Sequence, residues 1–249
     1  MTNVTRDVEV SNADLLATGA AALGIHLSLA QLEQFRQYYL ELVDWNSRVN
    51  LTSITEWEQV QTRLFLNSLS VALAVPSALL KSGRFVDIGS GAGFPGLALK
   101  IAFPGIDVTL IDATAKKTKF LDHMKETLGL LDVAIVTGRS ETLAHESDLR
   151  EGFDVVLARA LARMNALAEL TLPFCRPGGI VIAQKSVDVE DEVAQARNAI
   201  EIMGGTLKEV TEVAIPELEQ RRMLVVLEKV GPTPGRYPRQ PGMPAKHPL

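Results

Sequence analysis

Residues 85–96, which read Phe-Val-Asp-Ile-Gly-Ser-Gly-Ala-Gly-Phe-Pro-Gly, decide the fold. The stretch begins as a short β-rich run that ends in an acid, Asp87, and a helical pattern follows its last glycine. Its four glycines are Gly89, Gly91, Gly93 and Gly96. A strand that breaks into a glycine-rich turn before a helix brings backbone close to a ligand at the edge of a parallel sheet. The stretch therefore predicts a nucleoside-cofactor site, and a strand–helix turn without a ligand is the alternative.

The glycines match two cofactor templates. Gly91, Gly93 and Gly96 fit the GxGxxG spacing of dinucleotide sites, which is weak evidence by itself. Asp87 followed by glycines at alternate positions fits the spacing of S-adenosylmethionine sites. In the dinucleotide register the glycines start too late after the strand, and Pro95 removes a backbone N–H where a pyrophosphate needs donors. S-adenosylmethionine has no phosphate, so the stretch favours this cofactor.

Length and composition predict one large or two small globular domains. The chain has 249 residues, of which 47% are hydrophobic, and a net charge of −5. No apolar run is long enough for a membrane span, and the N-terminus lacks the order of residues typical of a signal peptide. A single cysteine, Cys175, excludes intramolecular disulfides, and the four histidines have no ligand spacing. We expect a cytoplasmic, metal-free monomer.

The negative net charge argues mildly against a nucleic-acid partner, but binding depends on local clusters of charge. Several basic clusters are present, and each of them has a solvated surface as its alternative. They are Lys116, Lys117 and Lys119; Arg159 and Arg163; Arg221 and Arg222; and Arg236, Arg239 and Lys246 in the tail.

The chain divides into three segments by pattern. Residues 1–80 show helical spacing of apolar residues, and residues 81–230 alternate short apolar runs with helical stretches. We predict strands at 85–88, 107–111, 132–136, 153–158, 180–184, 207–213 and 223–228, with helices at 95–102, 115–129, 140–146, 161–172 and 188–203. This is an α/β fold with a doubly wound, mainly parallel seven-stranded sheet, a terminal hairpin and an N-terminal helical extension. Residues 231–249 hold six prolines and no acid, and we expect this tail to be extended or mobile and to bury no core.

Ligands of such sheets lie where the parallel strands end. Asp112 ends the second strand, where an acid typically accepts hydrogen bonds from ribose, with helix capping as the alternative. Ser140 and Glu141 follow the third strand and border the expected adenine position, with a helix start as the alternative. Arg159 ends the fourth strand, where a guanidinium needs a carboxylate or phosphate partner, and Lys185 ends the fifth.

The loop after the fourth strand restricts the methyl acceptor. It reads Ala-Arg-Ala-Leu at 158–161, whereas methylation of an exocyclic amine usually relies on an Asn/Asp-Pro-Pro-aromatic loop there. Methylation of pyrimidine C5 needs a cysteine nucleophile, but Cys175 is predicted at the opposite edge of the sheet. Guanine N7 needs neither a base nor a covalent intermediate, so catalysis by positioning alone would suffice.

Further motifs make the chain resemble the bacterial small-subunit (16S) ribosomal RNA guanine-N7 methyltransferases, the glucose-inhibited division protein B family. The resemblance covers nearly the whole chain. It is carried by Trp45-Asn46, Asn50-Leu51-Thr52-Ser53, Arg63 with Asn67-Ser68-Leu69, the Asp87–Gly96 stretch with its Phe-Pro-Gly ending, Lys117 with Phe120-Leu121, Arg139-Ser140-Glu141, Arg159-Ala160, Pro177-Gly178-Gly179 with Lys185, and Tyr237-Pro238-Arg239-Gln240-Pro241-Gly242.

The resemblance implies methyl transfer from S-adenosylmethionine to N7 of one guanine in 16S rRNA. Together with the strand-end residues it implies a cofactor site made of Asp87, Gly89, Gly91, Phe94, Asp112, Ala113, Thr114, Ser140, Glu141 and Arg159. Arg159, Arg139 and Lys185 would position the base. The predicted RNA surface contains Arg63, Lys116, Lys117, Arg163 and Arg222. The alternatives are a methyltransferase for a small molecule and a non-catalytic RNA-binding assembly factor.

Overall fold

A computed structural model describes residues 13–186, 189–215 and 221–249 of the chain. The predicted helical positions 1–12 and 188 lie outside these described residues. Within them, seven strands form one sheet in the order β3-β2-β1-β4-β5-β7-β6. The strands are β1 Arg84–Ile88, β2 Asp107–Asp112, β3 Val133–Thr137, β4 Phe153–Arg159, β5 Cys175–Lys185, β6 Gly205–Val213 and β7 Arg222–Lys229.

The central strands are parallel and apolar on both faces, as expected for strands covered by helices on both sides. β1 pairs in parallel with β2 and with β4, and β4 pairs in parallel with β5. Their carboxyl ends therefore meet at one edge of the sheet. β7 runs antiparallel between β5 and β6, so its first residue, Arg222, reaches this same edge. The predicted fold class and the terminal hairpin are confirmed.

Helices cover both faces of the sheet and extend the chain on its N-terminal side. The α-helices are α1 Ala13–Ala22, α2 Leu29–Asn46, α3 Trp57–Val60, α4 Asn67–Leu69, α5 Leu79–Ser82, α6 Gly96–Ala102, α7 Ala115–Thr127, α8 Ser140–Leu143, α9 Met164–Thr171, α10 Glu190–Ile202 and α11 Met243–Lys246. A π-helix, Gln61–Leu66, joins α3 to α4, and 3-10 turns span Ser70–Ala74 and Leu172–Phe174. Among the described helices, none has both the length and the apolar character needed to cross a bilayer.

The N-terminal helices share a hydrophobic core with one face of the sheet. Phe35 and Tyr38 of α2 are fully buried and pack on Phe65 of the π-helix. Ser28 caps α2 in a capping box with Gln31, whose side-chain amide also donates to two carbonyls at the end of α6. The capping box thus fixes the start of α2, and its Gln31 also fixes the contact of α2 with α6. The proposed boundary at residue 80 stays a prediction.

The expectation that residues 231–249 would be extended and bury no core was wrong. Tyr237 is buried in the core beneath the sheet, and Thr233 is buried as well. The backbone N–H of Thr233 donates to Glu151 Oε1 at 2.6 Å. Lys229, which is fully buried, donates to Thr233 and forms an ion pair with Glu151 at 3.2 Å. Specific polar anchors therefore hold a segment whose composition by itself predicts no core.

Candidate active site

The glycine loop, residues 89–96, adopts backbone conformations that favour glycine. Gly89, Gly91 and Gly93 have φ angles of 71°, 59° and 91°. A Cβ on Gly93 would lie 2.6 Å from the hydroxyl oxygen of Tyr38 and 2.7 Å from Leu97 Cδ1. Glycine is therefore required at position 93 both for its positive φ and for close packing. The loop stands at the carboxyl end of β1, where the sequence predicted a ligand.

Asp87 is fully buried behind the glycine loop and caps the helix that follows it. Its Oδ2 accepts a hydrogen bond from the N–H of Gly96, the first residue of α6, at 2.8 Å. Pro95 has no N–H to offer, so the start of α6 lacks the donors that a pyrophosphate would need. This geometry supports the prediction of a cofactor without phosphate. Burial raises the pKa of Asp87 to about 7, and its Oδ1 has no hydrogen-bond partner.

Arg159 lies beside Asp87 at the end of β4. Its guanidinium carbon stands 5.3 Å from the ring centre of Phe94, and Tyr38 stacks on Phe94 with ring centres 5.1 Å apart. The Nη1 atom of Arg159 is buried without a hydrogen-bond partner. Burial lowers the pKa of Arg159, and the nearby Asp87 opposes this shift. Two buried atoms of opposite charge thus lack partners, which native proteins rarely tolerate unless a ligand or water completes the site.

Asp112 at the end of β2 fastens the glycine loop to the next strand. Its Oδ2 accepts from the N–H of Gly91 at 3.0 Å, and its Oδ1 accepts from the N–H of Thr114 at 2.8 Å. The capping residue of α7 is Thr114, so the helix-capping alternative for Asp112 is wrong. Each carboxylate oxygen keeps a second lone pair, so Asp112 is fixed in place and still able to accept hydrogen bonds from ribose hydroxyls.

One cavity of about 180 Å³ lies at the carboxyl ends of β1, β2 and β3, and its lining residues do not include the predicted cofactor residues Asp87, Gly91, Phe94, Thr114 and Arg159. The residues from sequence prediction that line it are Gly89, Asp112, Ala113, Arg139, Ser140 and Glu141. Several other lining residues were not predicted as part of the site, among them Leu161, Ala162, Gly242 and Ala245. The sequence gives no indication that these residues line a site, because they are small or apolar and reach the cavity from a loop and from the C-terminal tail. The cavity has the composition of a nucleoside site, with apolar walls and two carboxylates.

The predicted positioning residues have different surroundings. Lys185 Nζ donates to Glu192 Oε1 at 2.6 Å and to the carbonyl of Ala162 at 2.7 Å. The same oxygen of Glu192 accepts from the N–H of Met164 at 2.6 Å. Lys185 therefore holds the loop after β4 in place. Arg139 is exposed, and its Nε lies 3.9 Å from Glu141.

The predicted RNA-binding cations lie around the same edge of the sheet. Lys116 and Lys117 stand in the first turn of α7, and Arg163 is the capping residue of α9. Arg63 lies on the π-helix. Burial lowers the pKa of Arg222, and the charge of Arg63 lowers it further. Within the described part of the chain, no carboxylate lies within ion-pair distance of Arg63, Arg163, Lys116 or Lys117.

Two further residues singled out in the sequence, Asn46 and Cys175, have structural roles. The Oδ1 atom of Asn46 accepts from the N–H groups of Leu51 and Thr52 at 2.8 and 2.9 Å, which fixes the loop that follows α2. Cys175 begins β5 at the opposite edge from the cavity and is buried, which raises the pKa of its thiol to about 12. It is thus a core residue, as predicted, because a nucleophilic cysteine must ionise readily.

Comparisons with known proteins agree with this geometry. Residues 31–224 match the family model described as rRNA small subunit methyltransferase G. A protein of that name from Dehalococcoides mccartyi strain CBDB1 is 50% identical over 94% of this chain and 98% of its own length. One from Roseiflexus sp. strain RS-1 is 48% identical over 95% of this chain and 99% of its own length.

Solved structures show the fold alone. A chain from the complex between the Haloferax volcanii Trm112 methyltransferase activator and a methyltransferase aligns with a TM-score of 0.54 at 14% identity, covering 77% of this chain and 98% of that one. The sheet order and the glycine loop define a class I S-adenosylmethionine-dependent methyltransferase. The chain belongs to the rRNA small subunit methyltransferase G family, which confirms the resemblance drawn from its motifs.

Proposed function

We propose that this protein transfers a methyl group from S-adenosylmethionine to N7 of a specific guanine in 16S rRNA. The observation that carries this proposal is a cavity at the strand ends that is lined by Asp112 and Glu141. Around the same edge of the sheet lie the exposed cations Arg63, Arg163 and Lys116, which have no carboxylate within ion-pair distance among the described residues. Such cations suit a phosphate backbone, whereas a site for a small molecule does not need them. The names of the relatives point to the same substrate class.

The cavity and the loop around it fit S-adenosylmethionine. Asp112 would accept hydrogen bonds from the ribose, with Ala113 and Thr114 beside it, and Ser140 and Glu141 would border the adenine. Gly89 and Gly91 let the backbone approach the ligand closely. Asp87 and Arg159 have the unpartnered atoms that a ligand with an ammonium and a carboxylate would satisfy, and Phe94 orients the guanidinium.

The chemistry that we propose needs positioning and no base. The cofactor supplies an electrophilic sulfonium methyl group. The lone pair of guanine N7 forms a bond to the methyl carbon as the sulfur–carbon bond breaks, and no proton leaves the base. Asp112 and Glu141 accept backbone hydrogen bonds and are thereby held in place. We expect the base to be oriented by Arg159, Arg139 and Lys185, either directly or through the loop after β4. The protein then contributes mainly proximity and orientation.

Binding of S-adenosylmethionine should depend on pH through Asp87. Burial raises its pKa to about 7, so the carboxyl of the free protein is largely protonated below that pH. The positive charge of the ligand favours the ionised carboxylate, so binding expels a proton at low pH. We expect affinity to fall as the pH drops from about 8 to about 6, by up to about tenfold per unit below 7. Calorimetry in buffers of different ionisation enthalpy measures the released proton.

Asp87 also makes the stability of the folded protein depend on pH, in the direction opposite to its effect on binding. Because the folded pKa is raised, the folded protein holds this proton more tightly than the unfolded chain does. The free energy of unfolding of the free protein should therefore decrease as the pH rises from about 4 to about 7. Asp87→Asn should remove the contribution of this group to the pH dependence of both the affinity and the free energy of unfolding. An affinity that varies with pH to the same extent in Asp87→Asn would contradict the assignment.

The activity is tested by mapping the methylated base. The protein is incubated with labelled S-adenosylmethionine and either free 16S rRNA or 30S particles, and the modified nucleotide is located. We expect label on N7 of one guanine. The variant Arg63→Gln should lower the slope of affinity against salt by about one, whereas Arg84→Gln at the opposite edge should not. Label on an exocyclic amine, on ribose or on a small molecule only would refute the proposal, and RNA binding without methyl transfer would favour an assembly factor.

A ribosomal substrate also bears on location and assembly. Because 16S rRNA is made and assembled in the bacterial cytoplasm, we infer that the protein acts there. The predicted RNA-binding residues Lys116 and Arg222 both lie at the strand-end edge of the sheet, so one chain would supply that surface. A monomer therefore remains our prediction for the acting form.

A further inference from the structure

The C-terminal tail is held to α9 by an ion pair between Arg239 and the buried Glu169. Glu169 is fully buried, and Arg239 donates to both of its oxygens, from Nε to Oε1 at 3.0 Å and from Nη2 to Oε2 at 2.7 Å. The backbone N–H of Arg239 donates to the same carboxylate at 2.7 Å. This two-point geometry is specific to arginine, so the position of the tail along α9 is tightly defined.

Arg239 also closes the segment that follows it. Its Nη2 donates to the carbonyl of His247 at 2.8 Å, so residues 239–247 form a compact loop around α11. The loop turns at Gly242, whose φ is 86°. A Cβ at this position would meet no atom within 4 Å, so the glycine serves the turn and not the packing.

The turn brings the tail to the cofactor cavity. The N–H of Gly242 donates to Glu141 Oε1 at 2.9 Å, and Glu141 is itself only 7% exposed. Gly242 and Ala245 line the same cavity as Asp112 and Ser140. The carboxylate expected to border the adenine is therefore held by the tail on one of its oxygens.

The segment around α8 is tied to the tail along its length. Arg150 donates to the carbonyl of Ala144, just after α8, and to the tail carbonyls of Thr233 and Tyr237. His145 contacts the carbonyl of Pro238 at 2.9 Å. The α8 segment and the tail thus share a network of hydrogen bonds, and a displacement of the tail would disturb the residues on that side of the cavity.

We propose that residues 239–246 form one wall of the S-adenosylmethionine site, with Arg239 as a positioning residue that acts through Gly242 and Glu141. This inference rests on the proposed cofactor site. Docking of the tail and binding of the cofactor are then coupled, because the docked tail holds the Glu141 carboxylate in place and the bound cofactor contacts the docked tail.

Arg239→Gln in the full chain tests the coupling. It should raise the KM and the Kd for S-adenosylmethionine by about tenfold, a typical size for coupling between sites, and leave kcat and the KM for RNA within twofold. Arg236→Gln is the matched control, because Arg236 is an exposed arginine of the same tail that stacks on Tyr237. It should leave the Kd unchanged. Equal Kd values for the two variants, or a loss confined to kcat, would overturn the inference.

Hydrogen exchange on the unaltered protein gives a second test that does not depend on how the variant folds. Saturating S-adenosylmethionine should slow exchange of the amides of residues 240–246, apart from Pro241 and Pro244, by about tenfold or more. Exchange at the same rate with and without bound cofactor would overturn the inference and leave the proposed methyl transfer untouched. A protein that binds no S-adenosylmethionine at all would refute the cofactor site, and this inference with it.

Discussion

Arg159→Met is expected to lower methyl transfer by roughly 100-fold, since hydrogen bonds to charged groups contribute about 1.5–3 kcal/mol and each ~1.4 kcal/mol is a factor of ten. Methionine keeps an unbranched apolar stem over Phe94 but removes the cation whose Nη1 is buried without a partner. The loss of Arg159 also raises the pKa of Asp87 further, because the guanidinium is one of the groups that lower it. Single-turnover kinetics with saturating RNA measures the effect.

The matched control for this variant is Arg163→Met. Arg163 is exposed and lies four residues later on the same loop, so its replacement removes an equal charge outside the buried site. We expect this control to change methyl transfer at saturating RNA by less than about threefold, because surface charges contribute little to a buried site. A similar loss in both variants would show that charge near the RNA, and not the buried guanidinium, sets the rate.

Asp112→Asn is expected to weaken S-adenosylmethionine binding by about 10- to 100-fold, since it replaces charge-assisted hydrogen bonds by neutral ones. The carboxylate now accepts from the N–H groups of Gly91 and Thr114. Asparagine offers one acceptor oxygen, and its amide group would face the other N–H donor. The glycine loop should then lose its fixed position relative to β2. Calorimetric titration with S-adenosylmethionine measures the change.

Asp107→Asn serves as the control, because Asp107 is exposed at the other end of the same strand. It should leave the affinity within twofold. If Asp112→Asn bound the cofactor as tightly as the unaltered protein, Asp112 would be a structural residue of the loop and not a ribose ligand. Thermal unfolding of both variants separates a loss of affinity from a loss of fold.

The predicted strands agree best with the observed ones where a local sequence pattern and the tertiary contacts require the same types of residue. The strands were predicted within a residue or two at most ends, because alternating apolar runs and the glycine loop are local signals. The longest deviation is β5, which begins at Cys175 and not at 180. The sequence there shows a local turn signal, Pro177-Gly178-Gly179, which predicts that the strand starts after it. Cys175 nevertheless pairs with Phe153 of β4, and this tertiary contact leaves no local signal in the sequence.

The site residues divide in the same way. Asp87, Asp112 and Arg159 stand at strand ends, so the order of strands and helices was enough to bring them to one edge of the sheet. Tyr38 and Glu192 were not predicted, since one is an apolar position of α2 and the other is a surface-type acid of α10. Their roles arise from contacts across 54 and 28 residues of sequence, to Ala92 and Met164.

It was possible to predict from the residue pattern the doubly wound sheet, the cofactor loop and the cations at the strand ends, because these depend on periodicity and on residue types at fixed positions. Three further features became visible only in the folded chain: Asp87 and Arg159 are buried with unpartnered atoms, Lys185 holds the loop after β4, and the tail reaches the cavity. Composition predicted an extended tail because it reflects only how few apolar residues the tail contains, and not which polar contacts hold it. A buried Glu169 opposite Arg239 and a carboxylate opposite the N–H of Gly242 are pairings over long sequence distances, and no local pattern records them.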